Sequence, residues 1–134
     1  MEFLRFYQFR IPRNITFGLG AAETVGEKAK EYGANKALIV TDRVFGPVGI
    51  IEKVSQALSR TGVEPVVYDG VITEPTTEQV EEGLEVYQKN SCGLVIGLGG
   101  GSCIDAAKAI SVVATNGGRI QDYEGRGIVK KPRA

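Results

Sequence analysis

Three consecutive glycines and a serine separate two apolar stretches of this chain, in the segment LVIGLGGGSCIDAAKAI at residues 94–110. Glycine in an ordered element costs about 0.5–1 kcal/mol of backbone entropy relative to alanine, so a cluster of glycines indicates a need for bare backbone. Ser102 and Asp105 have the spacing of a helix capping box, which predicts a helix with Ser102 as its N-cap. The clustered glycines are Gly99, Gly100 and Gly101.

Bare backbone at the start of a helix favours the binding of a phosphate group. The N–H groups of the first turn and the positive end of the helix dipole attract an anion, and the missing side chains let it approach closely. We therefore interpret residues 99–102 as a diphosphate-binding loop, the alternative being a tight strand-to-helix turn without a ligand. The pattern G-x-G-x-x-S lacks the last glycine of the dinucleotide fingerprint. It also lacks G-K-[ST], which argues against ATP hydrolysis.

Two acidic residues follow predicted strands, at the end where parallel sheets bind ligands. Asp42 ends the run KALIVTD. Its carboxylate can accept a hydrogen bond from a ribose 2′-hydroxyl and would repel a 2′-phosphate, which favours NAD over NADP. The alternative for Asp42 is the N-cap of the next helix, and the spacing leaves both open. Glu74 lies in the turn TEPTT, where Thr76 or Thr77 can cap the following helix.

The elements that would position these residues alternate between strand and helix. Short apolar runs predict strands, and apolar residues at helical spacing predict helices between them. This alternation is typical of an α/β fold of the Rossmann-like, doubly wound kind, with a mainly parallel sheet and helices on both faces. Residues 6–18 predict an additional N-terminal strand ribbon. The predicted strands are 36–42, 63–69 and 93–99; the predicted helices are 21–33, 46–60, 76–89 and 102–115.

Composition excludes several classes of function. The 134 residues carry 16 basic and 16 acidic side chains, so no nucleic-acid or anionic-membrane partner is indicated. No run is long enough to span a membrane, and no secretion signal is visible, so we expect a cytoplasmic protein. The sequence contains no histidine, which removes the usual metal-ligating and acid–base side chain. The two cysteines, Cys92 and Cys103, are expected to be buried and reduced.

The segment GGGSCIDAAK, residues 99–108, resembles the G-G-G-S-x-x-D-x-x-K element of the iron-dependent (group III) alcohol dehydrogenases. Weaker similarities occur in the same order along nearly the whole chain. LIVTD resembles the family's strand that ends in an acidic residue, and DGVITEPTTEQV resembles its V-x-P-N-P-T segment. Glu74 stands where the family usually has asparagine, which departs from the pattern.

The resemblance implies a nucleotide-binding α/β domain followed by an all-helical domain that holds the metal. The cofactor would be NAD, with NADP less favoured, and the substrates a small alcohol and its aldehyde. By position, Asp42 would contact the adenosine ribose, and Glu74 would lie near the cofactor. The diphosphate and the nearby nicotinamide side would be lined by Gly99, Gly100, Gly101, Ser102 and Asp105.

The resemblance also implies a missing part. Members of the family are about two to three times this length, as two domains require. Their aspartate and three histidines that bind iron would follow residue 134, so Fe2+ or Zn2+ is expected only in the complete enzyme. We expect residues 1–134 to be a single nucleotide-binding domain, inactive alone and prone to form a homo-oligomer. Alternatives are a stand-alone nucleotide-binding or regulatory module, or a relative of glycerol dehydrogenase or dehydroquinate synthase.

Overall fold

The computed structural model describes residues 14–134. Its centre is a parallel sheet of three strands, β1 (Lys36–Val40), β2 (Glu64–Tyr68) and β3 (Leu94–Gly97), in the order β2-β1-β3. The α/β alternation read from the sequence is therefore confirmed. Of the expected N-terminal strand ribbon, residues 6–13 lie outside the described residues, and residues 14–18 form no strand.

The central strand is buried on both faces, which explains why KALIV is apolar without alternation. Ala37, Leu38, Ile39 and Val40 are fully buried. β1 pairs with β2 from Lys36 opposite Glu64 onward, and with β3 from Ala37 opposite Leu94 onward. Because all three strands run in the same direction, their carboxyl ends meet at one edge of the sheet.

Within the described residues, two α-helices cover each face of the sheet. On one face α1 (Val25–Glu31) and α2 (Ile50–Arg60) enclose Ile39 of β1. On the other face α3 (Thr77–Lys89) and α4 (Gly101–Asn116) enclose Leu38 and Val40. Each fully buried aliphatic side chain contributes about 1.5–3 kcal/mol, so the two core layers hold the helices in register with the strand ends.

Glycine permits the closest helix contacts. Gly26 of α1 faces α2 so closely that a Cβ atom there would collide with the backbone carbonyl of Ala57. Gly83 of α3 lies equally close to the side chain of Ile110 in α4. These two contacts set the spacing of the helix pairs on the two faces of the sheet.

Shorter helices of the 3-10 type occur at Ala21–Thr24, Arg43–Phe45 and Ile120–Tyr123. The helix predicted over 46–60 begins later than expected, because α2 starts only at Ile50. The 3-10 turn Arg43–Phe45 precedes it. The chain leaves β1 through this 3-10 turn and reaches Gly49, where a φ of 75° precedes α2. Among residues 14–134 no helix has both the length and the apolar character needed to cross a membrane.

Candidate dinucleotide-binding site

The sequence-predicted site residues come together at the carboxyl edge of the sheet. Asp42 follows β1, Glu74 follows β2 and the glycine cluster follows β3. A cleft of about 480 Å³ opens there. The residues around this cleft are Glu74, Pro75, Gly101, Ser102 and Asp105. Asp42, Gly99 and Gly100 do not line this cleft, and the carboxylate of Asp42 instead meets the side chain of Cys103.

The glycines of this loop differ in their surroundings. A Cβ atom at Gly99 would lie 2.8 Å from the Cys103 sulfur and 2.9 Å from the Phe45 ring, and the φ of 139° itself favours glycine. Gly99 is therefore required by the packing of the chain. At Gly100 and Gly101 an added Cβ atom would meet no atom of the described residues within 4 Å, and neither φ is positive. A tight turn without a ligand explains Gly99 but leaves Gly100 and Gly101 unexplained.

The start of α4 corrects the predicted capping box. The N-cap is Gly100, with φ −80° and ψ −167°, and α4 begins at Gly101. Ser102 is thus already in the helical first turn, where its backbone cannot take the extended cap conformation. Asp105 does not reach back to a free amide either, because its carboxylate pairs with Lys108 Nζ at 2.9 Å. That pair is exposed to solvent and adds little stability.

The amide groups at the start of α4 are available to an external anion. Within the part of the chain that the structure describes, no side chain caps this end and no acidic residue lies in its first turn. The neighbouring α3 shows the opposite arrangement: Thr76 Oγ1 accepts from the Gln79 N–H at 3.2 Å in a full capping box, as predicted for Thr76. Glu78 lies in the first turn of α3, where hydrogen bonds from its own backbone N–H and then from Thr76 lower the pKa of its carboxyl group. Of these two helices beside the cleft, α4 is therefore the one that can attract an anion.

Asp42 caps a turn and is half-buried. Its Oδ1 accepts from the Val44 N–H at 2.8 Å, so it is the N-cap of the 3-10 turn Arg43–Phe45. Its Oδ2 lies 3.6 Å from the sulfur of Cys103. A carboxylate has about four lone-pair sites, so two donors leave capacity for a ribose hydroxyl. The two alternatives for Asp42 are therefore compatible in one geometry.

Both cysteines are free and buried, as predicted. Burial raises the pKa of both thiols, and at Cys103 the negative charge of Asp42 and its hydrogen bond raise the pKa further. The contact between Cys103 and Asp42 was not foreseen from the sequence, because the two residues are 61 positions apart. The sequence offered one signal for this contact: Cys103 directly follows Ser102 in the glycine-serine element, at a position where the family pattern allows any residue.

Comparison with known proteins decides the family. The sequence model of the family described as iron-containing alcohol dehydrogenase matches residues 12–134. This chain belongs to the iron-containing alcohol dehydrogenase family. The resemblance stated from the glycine element is thereby confirmed.

Relatives in this family of iron-containing alcohol dehydrogenases share the fold of the chain. The NAD-dependent methanol dehydrogenase of Bacillus methanolicus is 41% identical over 124 residues, which are 92% of this chain and 32% of that protein. The crystal structure of a 1,3-propanediol oxidoreductase superposes with a TM-score of 0.91 at 32% identity, covering 96% of this chain and 34% of that one. The NADH-dependent butanol dehydrogenase A of Thermotoga maritima has a TM-score of 0.79 at 34% identity, covering 87% of this chain and 30% of that one. The chain therefore spans about a third of the length of these relatives.

The residues present do not fit the metal that the family name contains. The sequence has no histidine. Within residues 14–134, no three side chains of histidine, cysteine, aspartate or glutamate are grouped so as to hold a metal ion.

Proposed function

We propose that this chain forms the dinucleotide-binding domain of a metal-dependent alcohol dehydrogenase, with NAD as its cofactor. The observation that carries the proposal is the uncapped N-terminus of α4, with unobstructed glycines in front of it and Asp42 beside it. Family membership and the NAD-dependent relatives support the same cofactor.

The diphosphate binds at the N–H groups of Gly101, Ser102 and Cys103. Two negative charges at the positive end of the helix gain about 0.3–1 kcal/mol each from the dipole. Each charge-assisted hydrogen bond from an amide contributes about 1.5–3 kcal/mol. Gly100 and Gly101 allow this contact because no Cβ atom stands between the phosphate oxygens and the backbone.

Asp42 selects the ribose. Its carboxylate accepts a hydrogen bond from the 2′-hydroxyl of NAD, and the same charge repels the 2′-phosphate of NADP. The capping bond from Val44 anchors one oxygen of this carboxylate at the end of β1. NAD is therefore the preferred cofactor.

The nicotinamide side lies over the cleft between Glu74 and α4. Ser102 offers a hydroxyl there, and Asp105 and Glu74 offer carboxylates. Glu74 replaces the usual asparagine of the family, so it offers only acceptors where an amide would also donate. We assign these three residues to the surroundings of the nicotinamide ribose.

The bound cofactor supplies the hydride chemistry, and this chain supplies position and charge. In the complete enzyme, the nicotinamide would exchange a hydride with an alcohol and its aldehyde. A helical domain in the remaining two thirds of the protein would hold Fe2+ or Zn2+, which polarises the alcohol oxygen. Residues 1–134 then form one nucleotide-binding domain.

Calorimetric titration with NAD and NADP tests the proposal on the unchanged chain and on Asp42→Gly. We expect weak binding of NAD by the unchanged chain, and weaker binding of NADP. Asp42→Gly removes the repelling charge and is expected to raise the affinity for NADP relative to NAD by about tenfold, or 1.4 kcal/mol. A variant whose relative affinity for NADP does not rise excludes Asp42 as the selector.

A further inference from the structure

Cys103 is the one side chain of α4 that reaches the carboxylate beyond the glycine loop, among the residues that the structure describes. Its sulfur lies 3.6 Å from Oδ2 of Asp42, within the range of a thiol hydrogen bond. The side chain is only 1% exposed. The thiol is therefore placed against the carboxylate by core packing rather than by a chance contact in solvent.

The contact joins the two halves of the proposed site. Asp42 belongs to the end of β1, and Cys103 belongs to the first turn of α4, whose amides face the diphosphate position. Gly99 lies beside the same sulfur, and a Cβ atom there would meet both this sulfur and the ring of Phe45. One buried thiol thus adjoins the glycine loop, the 3-10 turn and the carboxylate.

The two oxygens of Asp42 are held by different donors. The Val44 N–H holds Oδ1 at 2.8 Å, and the Cys103 thiol donates to Oδ2. With a single donor a carboxylate can rotate about its Cβ–Cγ bond, because this torsion is broad. The second donor removes that freedom and fixes the plane of the carboxylate relative to α4.

We propose that Cys103 is a positioning residue, which orients the Asp42 carboxylate for the ribose and thereby strengthens the preference for NAD over NADP. This inference rests on the proposed function of Asp42. Only the backbone N–H of Cys103 faces the diphosphate; its side chain does not touch the cofactor in this proposal and acts through Asp42.

The thiol is a suitable donor because it keeps its proton. Burial is the main cause that raises the pKa of Cys103, followed by the charge of Asp42 and its hydrogen bond. The neutral thiol donates to the carboxylate at neutral pH, whereas a thiolate would repel it. Serine at this position also carries a donor, whereas alanine does not.

The contact itself is testable without a ligand, because the chain has only two cysteines. In the chain labelled with ¹³C at the cysteine Cβ atoms, Cys92 is an internal control: it precedes β3, whereas Cys103 follows it. We expect Asp42→Asn to lower the pKa of Cys103 and to leave that of Cys92 unchanged. Equal behaviour of the two thiols would overturn the inference.

The effect on specificity is measured by titrating NAD and NADP into three variants. We expect Cys103→Ala to weaken NAD about three- to fivefold and NADP by less than about twofold, as loss of one neutral hydrogen bond predicts. Cys103→Ser is expected to retain the NAD preference of the unchanged chain. Cys92→Ala, which also removes a buried thiol, is expected to change neither affinity.

Three results separate the possible failures. A Cys103→Ala variant that keeps the full NAD preference, while Asp42→Gly loses it, overturns the positioning role and leaves the proposed function standing. An unchanged chain that binds NAD and NADP equally overturns both. Equal losses in Cys103→Ser and Cys103→Ala also overturn the role, because they show that packing volume, not the donor, matters.

Discussion

Replacing Gly101 by alanine should make the fold more stable and the binding of NAD weaker. Gly101 is the first residue of α4, and a Cβ atom there meets no described atom within 4 Å. Alanine in a helix is favoured over glycine by about 0.8–1 kcal/mol in the interior, and we expect about half of that at the first position. For a chain of this size the melting temperature should rise by about 1–3 °C.

The same methyl group lies where the proposed phosphate oxygens approach the backbone. Displacing the diphosphate weakens its amide hydrogen bonds, which contribute about 1.5–3 kcal/mol each. Loss of about one such bond weakens NAD binding by tenfold or more. A raised melting temperature together with weaker NAD binding would distinguish Gly101 from a glycine that serves only the fold. Replacing a glycine of that kind changes stability and binding in the same direction, or leaves binding unchanged.

Thermal melting monitored by circular dichroism measures the change in stability, and calorimetric titration with NAD measures the change in affinity on the same samples. Gly93→Ala is the matched control, since Gly93 also has open space at its Cβ position and lies in the turn before β3, away from the cleft. Gly99→Ala should lower the melting temperature, because its methyl group collides with Cys103 and Phe45. Unchanged NAD affinity in a folded Gly101→Ala variant would refute the assignment of this glycine to the ligand.

Two further predictions concern stability. Gly26→Ala should lower the free energy of unfolding by about 1–3 kcal/mol in urea denaturation, because its methyl group meets the Ala57 backbone; a neutral result would show that α1 and α2 are not closely packed. Stability should also fall as the pH rises above about 8.5, where unfolded thiols begin to ionise, because burial raises the pKa of both folded thiols. Here the Cys92→Ala and Cys103→Ala variants should show a smaller loss between neutral and alkaline pH than the unchanged chain, and an equal loss would contradict the raised pKa of the thiols.

Much of the architecture is readable from local patterns. The apolar run ALIV within β1 predicts a strand covered on both faces, and these four residues are buried in that way. The turn TEPTT predicts a cap at Thr76 or Thr77, and the cap forms between Thr76 and Gln79, which lie within four residues of each other. The glycine-serine element also indicated the family. These features depend on neighbours along the chain, so the sequence contains all of their determinants.

Tertiary packing decided the details of the site. From local sequence, either Gly100 or Ser102 can be the N-cap of α4, and serine is the more favourable N-cap because its side chain can accept a hydrogen bond from a free N–H. In the structure the N-cap is Gly100, and α4 begins at Gly101. Gly97 and Gly99, in the segment before it, pack closely against α4. Likewise, Asp42 meets Cys103 only because β1 and β3 are adjacent and parallel. The order of elements thus follows from the sequence alone, and the site residues remain a prediction made from it. The N-cap of α4, the packing of Gly99 and the thiol contact arise instead from contacts between distant segments, which spacing along the chain does not encode.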